Sequence, residues 1–488
     1  MTRQVARNAV WNVSGTLVSL LVGLVALPVL LHALGTARLG VFTLALGLIG
    51  FSGLLDLGLG RALTQGVSSA LGSGRPEQAV AAMVWHVLRL LVFFGVAWTM
   101  LLWLGAPFLV ERLFSLSGSM ANETIFGLRA LALSIPFALA ATGAMGALEG
   151  LQRFRQASSW RAAMSVIQLG FPTLVALWRP DVGWVIAALA GSRVLSLVVW
   201  LRVLQQALPA SWRAVSEGDD LRHLLRFGGW LSVSNVVGPL MVYADRFYLA
   251  SQFPPAAVAY YTVPYDTVFR TTTLPMTAMN AVFPALASAQ HQHEASGRML
   301  RAVGMAIVAI MLPPVLLAEI FAQPLLTFWL GASFAVPATP VLKLLLLGIF
   351  LNSCAHVPYA FLQANGRSDI TAKLHLVELP FFAALLMWSV HVYGVPGAAL
   401  AWTLRVALDT SLLYAVALRL RAQQRSTLFE TFALVIIGSL CLAVATFLHS
   451  LISQAAIAAL VFGVCGVLAT RLRRQWQRSE GTLKETQP

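Results

Sequence analysis

The chain has 488 residues, of which 58% are hydrophobic and only 11% are charged, and its mean hydropathy is +0.78. Soluble domains carry a much larger charged fraction, so this composition excludes a water-soluble globular protein and indicates a membrane protein. The formal net charge of +14 does not indicate nucleic-acid binding, because a soluble basic face with interleaved aromatic residues is missing. The positive charge therefore has to be explained by the way the chain is arranged in a membrane.

Apolar runs of about 20 residues, the length that crosses roughly 30 Å of hydrocarbon as a helix, recur along the whole chain. The first run is too long for the core of a signal peptide, and no small-residue cleavage site follows it, so we expect it to be retained. The runs predict an all-α polytopic membrane protein with about fourteen transmembrane helices. These lie near 9–32, 38–60, 78–104, 122–148, 157–178, 182–206, 227–250, 257–288, 300–322, 339–362, 371–393, 395–418, 430–448 and 451–470.

Lysine and arginine are concentrated on one side of the membrane in this arrangement. With a cytoplasmic N-terminus, most of the 33 basic residues fall in cytoplasmic segments, and the opposite face holds only Arg38, Arg112 and Arg179. Basic residues are enriched in cytoplasmic loops, and one missed span would invert every later loop and destroy this bias. Both termini are therefore predicted to be cytoplasmic.

The two halves of the chain resemble each other at an offset of 219 residues. Arg7 then aligns with Arg226, Trp11 with Trp230, Thr43 with Thr262, Leu55 with Leu274 and Ala62 with Ala281. Six spans separate the repeats, and an even number preserves orientation, so we predict two parallel six-helix lobes. The predicted segments are the N-terminal lobe 1–206, a cytoplasmic linker 207–226, the C-terminal lobe 227–418, two additional helices at 419–470 and a basic cytoplasmic tail 471–488.

Signatures of soluble catalysis are missing from the sequence. It contains no GxxxxGK[ST] phosphate loop, no HExxH, no GxSxG and no Cys/His cluster with metal-ligand spacing. We therefore expect no enzymatic activity, no cofactor and no metal site. Cys354, Cys441 and Cys465 lie inside apolar runs as packing residues, and Gly146 with Gly150 forms a GxxxG that predicts close helix packing.

Charged side chains inside the predicted spans are the main candidates for function, because each costs several kcal/mol to insert and usually faces a wet cavity or a partner. The spacing i,i+4 puts Asp266 and Arg270, and likewise Arg405 and Asp409, on one helix face, where each pair either neutralises itself or contributes to a site. The candidates for substrate binding are Arg270, Arg246, Arg193, Arg89 and Arg405. The candidates for coupling or pairing are Asp245, Asp266 and Asp409. The other intramembrane charges are Arg129, Lys343, Asp56, Glu319 and Glu378.

The second span ends with LDLGLGRALTQ, from Leu55 to Gln65, after RLGVFTLALGLIGF from Arg38 to Phe51. This pattern resembles the polysaccharide transporter family of the MOP superfamily, the Wzx-like O-antigen and exopolysaccharide flippases. The resemblance implies a MATE-like V-shaped pair of bundles. A central, often cationic cavity between them takes the sugar-pyrophosphate head of an undecaprenyl carrier. The resemblance also marks Asp56 and Arg61 as motif residues, which either gate and cap the helix end or contact the substrate directly.

The function implied is a flippase of the bacterial inner membrane that moves an undecaprenyl-pyrophosphate-linked oligosaccharide to the periplasmic leaflet by alternating access. Expected partners are that lipid-linked oligosaccharide, membrane lipids, and glycan polymerase and chain-length proteins, but no nucleic acid. Two alternatives share the fold, a multidrug or cation antiporter and a lipid II flippase. The antiporter is less favoured because the first span lacks the acidic residue that many drug antiporters use. A membrane glycan polymerase or ligase is disfavoured because the external loops are short.

Overall fold

The structure is a computed structural model that describes residues 2–50, 56, 58–209, 240–288, 293–420, 424–447 and 451–485. Within these ranges every regular element is a helix. The chain forms two compact units, Met1–Val263 and Pro264–Pro488, and their boundary falls inside one helix. The predicted lobes differ from these units in their limits and stay a prediction, and most of the predicted linker 207–226 lies outside the described residues.

The first unit contains eight described helices and the beginning of a ninth. They are α1 Thr2–Gly50, α2 Leu59–Gly72, α3 Glu77–Phe108, α4 Gly118–Leu133, α5 Ile135–Gly150, α6 Phe154–Trp178, α7 Val182–Ala207, α8 at 240–252, and α9 Pro255–Phe269. A π-helical turn, Leu109–Leu113, follows α3.

The second unit contains the end of α9, a 3-10 turn Arg270–Thr272 and the remaining described helices. These are α10 Thr273–Ser288, α11 His293–Ile320, α12 Ala322–Leu330, α13 Ala332–Ala364, α14 Ser368–Tyr393, α15 Val395–Leu420, α16 Arg425–Phe447 and α17 Leu451–Glu485. Both α16 and α17 pack against α11. The two additional helices that the sequence predicts after the C-terminal lobe are therefore packed onto the second unit.

Ten helical segments in the described ranges are long and apolar enough to cross a membrane. Large apolar side chains on them are exposed, and Trp178 is 92% and Leu104 78% accessible. Such side chains are stable on a helix surface when the surrounding solvent is hydrocarbon. The all-α polytopic class is confirmed, whereas the number fourteen stays a prediction.

Two predicted spans are not straight helices, and one helix, α1, runs from one predicted span into the next. Gly35, with φ 75° and ψ 167°, interrupts α1 between the predicted spans 9–32 and 38–60. The predicted span 122–148 is split into α4 and α5, because Pro136 near the start of α5 has no N–H to continue the hydrogen-bond ladder. The predicted span 257–288 changes to 3-10 geometry at Arg270 and continues as α10.

The contact between α2 and α5 is as close as the GxxxG predicts. A β-carbon on Gly146 would lie 2.6 Å from the carbonyl oxygen of Gly60. The hydroxyl of Thr64 donates to the carbonyl oxygen of Gly146 at 3.0 Å, and that of Ser68 donates to Gly150 at 3.2 Å. Small residues let the backbones approach and hydroxyls add interhelical hydrogen bonds, so the packing role of Gly146 and Gly150 is confirmed.

Candidate functional site

A cavity of about 520 Å³ lies among α10, α13, α14 and α15 in the second unit. Met276, Met279 and Phe283 of α10 form an apolar side of the wall. The polar side consists of Asn352, His356, Gln363, His375 and Asp409. Polar side chains within apolar spans are costly unless they face water, a ligand or each other, so this cavity is the candidate functional site.

Four charged or titratable side chains from α14 and α15 meet at the cavity wall. His375 and Glu378 lie one turn apart on α14, and Arg405 and Asp409 lie one turn apart on α15. His375 Nε2 is 3.8 Å from Asp409 Oδ1, and Arg405 Nη1 is 3.9 Å from Glu378 Oε2. We call these four residues the α14–α15 cluster. It opens to the cavity through His375 and Asp409.

A tight helical hairpin sets the register of the cluster. Helix α14 ends at Tyr393 and is capped by Gly394, whose φ of 66° is readily available to glycine, and α15 begins at the next residue. Ser389 Oγ donates to the carbonyl oxygen of Gly397 at 2.9 Å, and a β-carbon on Gly397 would overlap the Ser389 carbonyl. Antiparallel helices in this register place Glu378 opposite Asp409. The same register places the Arg405 guanidinium 5.6 Å from the ring centre of Phe382.

The cluster leaves buried polar atoms without hydrogen-bond partners among the described residues. Glu378 is only 1% exposed, and neither of its carboxylate oxygens has a partner. The same holds for Asp409 Oδ1 and for Arg405 Nε. Buried polar groups are nearly always hydrogen-bonded, so this set is completed by a proton shared between Glu378 and Asp409, by water, or by a bound ion or ligand.

Arg405 and Asp409 are the two sequence candidates that the structure brings to this cluster. Their i,i+4 spacing predicts a pair on one helix, but the carboxylate within 4.0 Å of Arg405 belongs to Glu378 on α14. Asp409 lies instead beside His375. Arg405 is buried and does not line the cavity, so the polar part of the described lining contains imidazoles, amides and a carboxylate but no arginine.

Asp245 and Arg246 form a buried polar group in the first unit, where α8 meets α9. The hydroxyl of Tyr261 donates to Asp245 Oδ2, and the Arg246 guanidinium lies 5.0 Å from the ring centre of Tyr243. Arg246 is fully buried. Both side chains are therefore buried.

The remaining intramembrane candidates lie on other elements. Arg193 is buried on α7, and its Nε has no hydrogen-bond partner among the described residues, whereas Arg89 on α3 is exposed. Asp266 near the end of α9 and Arg270 in the 3-10 turn are both half-buried in the second unit. The helix changes to 3-10 geometry at Arg270, so this residue stands where α9 gives way to α10.

Sequence reasoning missed two members of the α14–α15 cluster. Glu378 is one of the intramembrane acidic residues, but the spacing along its own span provides no basic partner, and His375 does not enter the intramembrane charged set. The signal was the i,i+3 spacing of His375 and Glu378, which puts an imidazole and a carboxylate on one helix face. Only the hairpin register shows that this face meets Arg405 and Asp409.

A family model described as "Polysaccharide biosynthesis protein" matches residues 5–290, which is more than half of the chain. The chain belongs to the polysaccharide biosynthesis protein family. A relative from Shigella flexneri, named "Putative O-antigen transporter", is 28% identical over 409 residues, covering 84% of this chain and 96% of the relative.

Solved structures of the MOP superfamily share the fold of this family member. A structure described as "Lipid II flippase MurJ, inward closed conformation" aligns with a TM-score of 0.71 at 12% identity, over 95% of this chain and 99% of that chain. An inward-facing multidrug resistance MATE family transporter aligns with a TM-score of 0.64 at 16% identity, over 87% of this chain and 99% of that chain. At these identities the likeness establishes the fold alone. The resemblance seen in the LDLGLGR motif is confirmed.

The motif residues Asp56 and Arg61 of this family member have different surroundings. Asp56 is buried, and its Oδ1 accepts a hydrogen bond from the Gly58 backbone N–H at 2.9 Å. The Gly60 N–H also donates to this carboxylate at the start of α2. Gly58 adopts φ 71°, a left-handed conformation that glycine accepts without strain, whereas Arg61 is exposed. The motif therefore forms a carboxylate-capped start of α2.

Proposed function

We propose that this protein translocates an undecaprenyl-pyrophosphate-linked oligosaccharide from the cytoplasmic to the periplasmic leaflet of the bacterial inner membrane. The observation that carries the proposal is a polar-lined cavity of about 520 Å³ among helices whose outer faces are apolar. A polar head requires such a cavity to cross hydrocarbon, while its lipid tail stays in the bilayer. The family and the O-antigen relative support a glycan-linked substrate.

Alternating access is the proposed mechanism, and a close contact inside the first unit supports it. The segment after Gly35 in α1 packs against the start of α9, where a β-carbon on Gly40 would overlap the carbonyl group of Pro255. The distribution of basic residues predicts that Arg38 and the 250–257 connection lie on the external side. We infer that this contact closes the external side and that it separates when the substrate leaves.

Arg270, Arg246, Arg193, Arg89 and Arg405 are proposed as further head-group contacts outside the described lining of this cavity, since guanidinium groups bind phosphate oxygens bidentately. Arg270 is the strongest of these because it is half-buried in a 3-10 turn between two helices, whereas Arg246 is fully buried and must be uncovered before it can touch a substrate. Asp245, Asp266 and Asp409 are proposed to hold these cations or to take part in coupling. Asp56 and Arg61 are proposed to belong to the cytoplasmic gate.

Reconstitution tests this proposal against the alternatives. Purified protein in liposomes is expected to move a fluorescent undecaprenyl-pyrophosphate oligosaccharide to the outer leaflet, where a membrane-impermeant quencher reaches it. Protein-free liposomes are the control. Translocation of a cationic dye under an ion gradient, without movement of the lipid-linked glycan, would establish the antiporter instead. Movement of lipid II with no movement of other lipid-linked oligosaccharides would establish the lipid II flippase.

Cells that lack the protein provide a second test. They are expected to retain the glycan on the cytoplasmic leaflet, where the proposed polymerase and chain-length partners cannot use it.

A further inference from the structure

The α14–α15 cluster contains a set of potential metal ligands that sequence spacing does not reveal. One ligand atom each from His375, Glu378 and Asp409 lies within 4.8 Å of the other two. We propose that His375, Glu378 and Asp409 bind a divalent transition-metal ion of the zinc class at the wall of the cavity. The proposal goes beyond translocation and does not depend on it.

The donor set decides the class of ion. One imidazole nitrogen with two carboxylate oxygens suits Zn²⁺ and its first-row neighbours, whereas Mg²⁺ and Ca²⁺ prefer oxygen ligands throughout. Ligands about 2.0–2.1 Å from a tetrahedral zinc ion lie roughly 3.3 Å from one another. His375 Nε2 and Asp409 Oδ1 are 3.8 Å apart, so small side-chain rotations bring them to that spacing.

The burial of the ligands separates this set from an ordinary surface cluster. Glu378 is 1% exposed and has two oxygens without hydrogen-bond partners, and Asp409 Oδ1 also lacks one in the described part of the chain. A metal ion would satisfy these atoms together. Three protein ligands leave a further coordination position, which faces the cavity through His375 and Asp409.

Arg405 is the nearest competing cation. Its Nη1 lies 3.9 Å from Glu378 Oε2, beyond hydrogen-bond distance, so the guanidinium partly neutralises the carboxylate but does not occupy it. With neutral His375, the four side chains carry a net charge of −1 when both carboxylates are ionised. A divalent ion changes this charge to +1 and places a cation beside both carboxylates.

The test measures metal binding to the full chain, purified in nanodiscs through a tag without histidine. Equilibrium dialysis against Zn²⁺ gives stoichiometry and affinity, and Co²⁺ gives visible d–d absorption that reports imidazole and carboxylate coordination. We expect one tight site per chain. His375→Ala, Glu378→Gln and Asp409→Asn are each expected to weaken Zn²⁺ binding at least about tenfold and to remove the Co²⁺ spectrum.

Matched controls are His391→Ala, an imidazole elsewhere on α14, and Glu430→Gln, a carboxylate on α16 that pairs with Arg301. Both are expected to retain the wild-type affinity and spectrum. Size-exclusion profiles identify any variant that fails to fold, and the triple variant at these three ligands gives the background from other residues. Wild-type binding equal to that background would overturn the proposal. Displacement of Zn²⁺ by equimolar Mg²⁺ or Na⁺ would also overturn it.

Discussion

Thr262 Oγ1 donates a hydrogen bond to Thr43 Oγ1 at 2.8 Å, and the two residues are 219 positions apart in the chain. The same offset aligns the two halves of the sequence, so these threonines occupy equivalent positions of the predicted repeat. Equivalent residues lie at equal distances from the axis that relates two parallel repeats, and they touch only where they approach that axis. Thr43 and Thr262 therefore mark the predicted axis towards the predicted external side, after the Gly35 interruption of α1 and in the first half of α9.

Crosslinking this pair is expected to stop transport. With Cys354, Cys441 and Cys465 replaced, Thr43→Cys with Thr262→Cys places two sulfurs where hydroxyl oxygens are 2.8 Å apart, a spacing compatible with a disulfide. Oxidation should abolish glycan translocation, and dithiothreitol should restore it. Each single cysteine variant is the control. Unchanged translocation by the fully oxidised double variant would contradict an opening at this contact.

Removing the Asp56 carboxylate is expected to destabilise the protein by about 1 kcal/mol, because the start of α2 loses its cap. Asp56→Asn should lose less, since an amide oxygen still accepts the Gly58 N–H. The measurement is thermal unfolding in detergent, and Arg61→Ala, which alters an exposed side chain, is expected to keep wild-type stability. If Asp56→Ala unfolds at the wild-type temperature but does not translocate glycan, the carboxylate contacts substrate directly.

Arg270→Lys is expected to reduce translocation while membrane abundance stays near normal, because the charge remains but the planar fork is lost. Arg270→Ala should reduce translocation further. A complementation assay with quantified membrane protein makes the comparison. A purely structural role predicts another pattern, in which Arg270→Ala lowers abundance and the double change with Asp266→Ala restores it. Wild-type translocation by Arg270→Ala at normal abundance would remove this residue from the site.

Membrane topology is expected to follow the distribution of basic residues. Reporter fusions after Gln206 and after Lys484 should be cytoplasmic, and a fusion near Pro255 should be external. Paired reporters, one active only in the cytoplasm and one active only outside, provide the measurement and its internal control. An external signal after Lys484 would mean an odd number of spans between the termini.

The sequence by itself determined that the protein is all-α and polytopic, because the length and apolar character of its runs require a hydrocarbon solvent. It also identified the family through the LDLGLGR motif, whose glycines and aspartate encode a local capping turn. The close packing at Gly146 and Gly150 was also predictable from sequence, because small residues four positions apart lie on one helix face and let a second backbone approach.

Tertiary structure alone decided which charged side chains meet. The sequence spacing pairs Arg405 with Asp409. The hairpin at Gly394 instead sets a register in which Glu378 lies beside Arg405. The same register brings His375 beside Asp409. Likewise, the repeat offset aligns Thr43 with Thr262 but does not place them in contact. Spacing along one helix specifies only neighbours within a turn or two. The contacts that form a site depend on how separate helices pack, which the close approach of Gly397 to Ser389 fixes here.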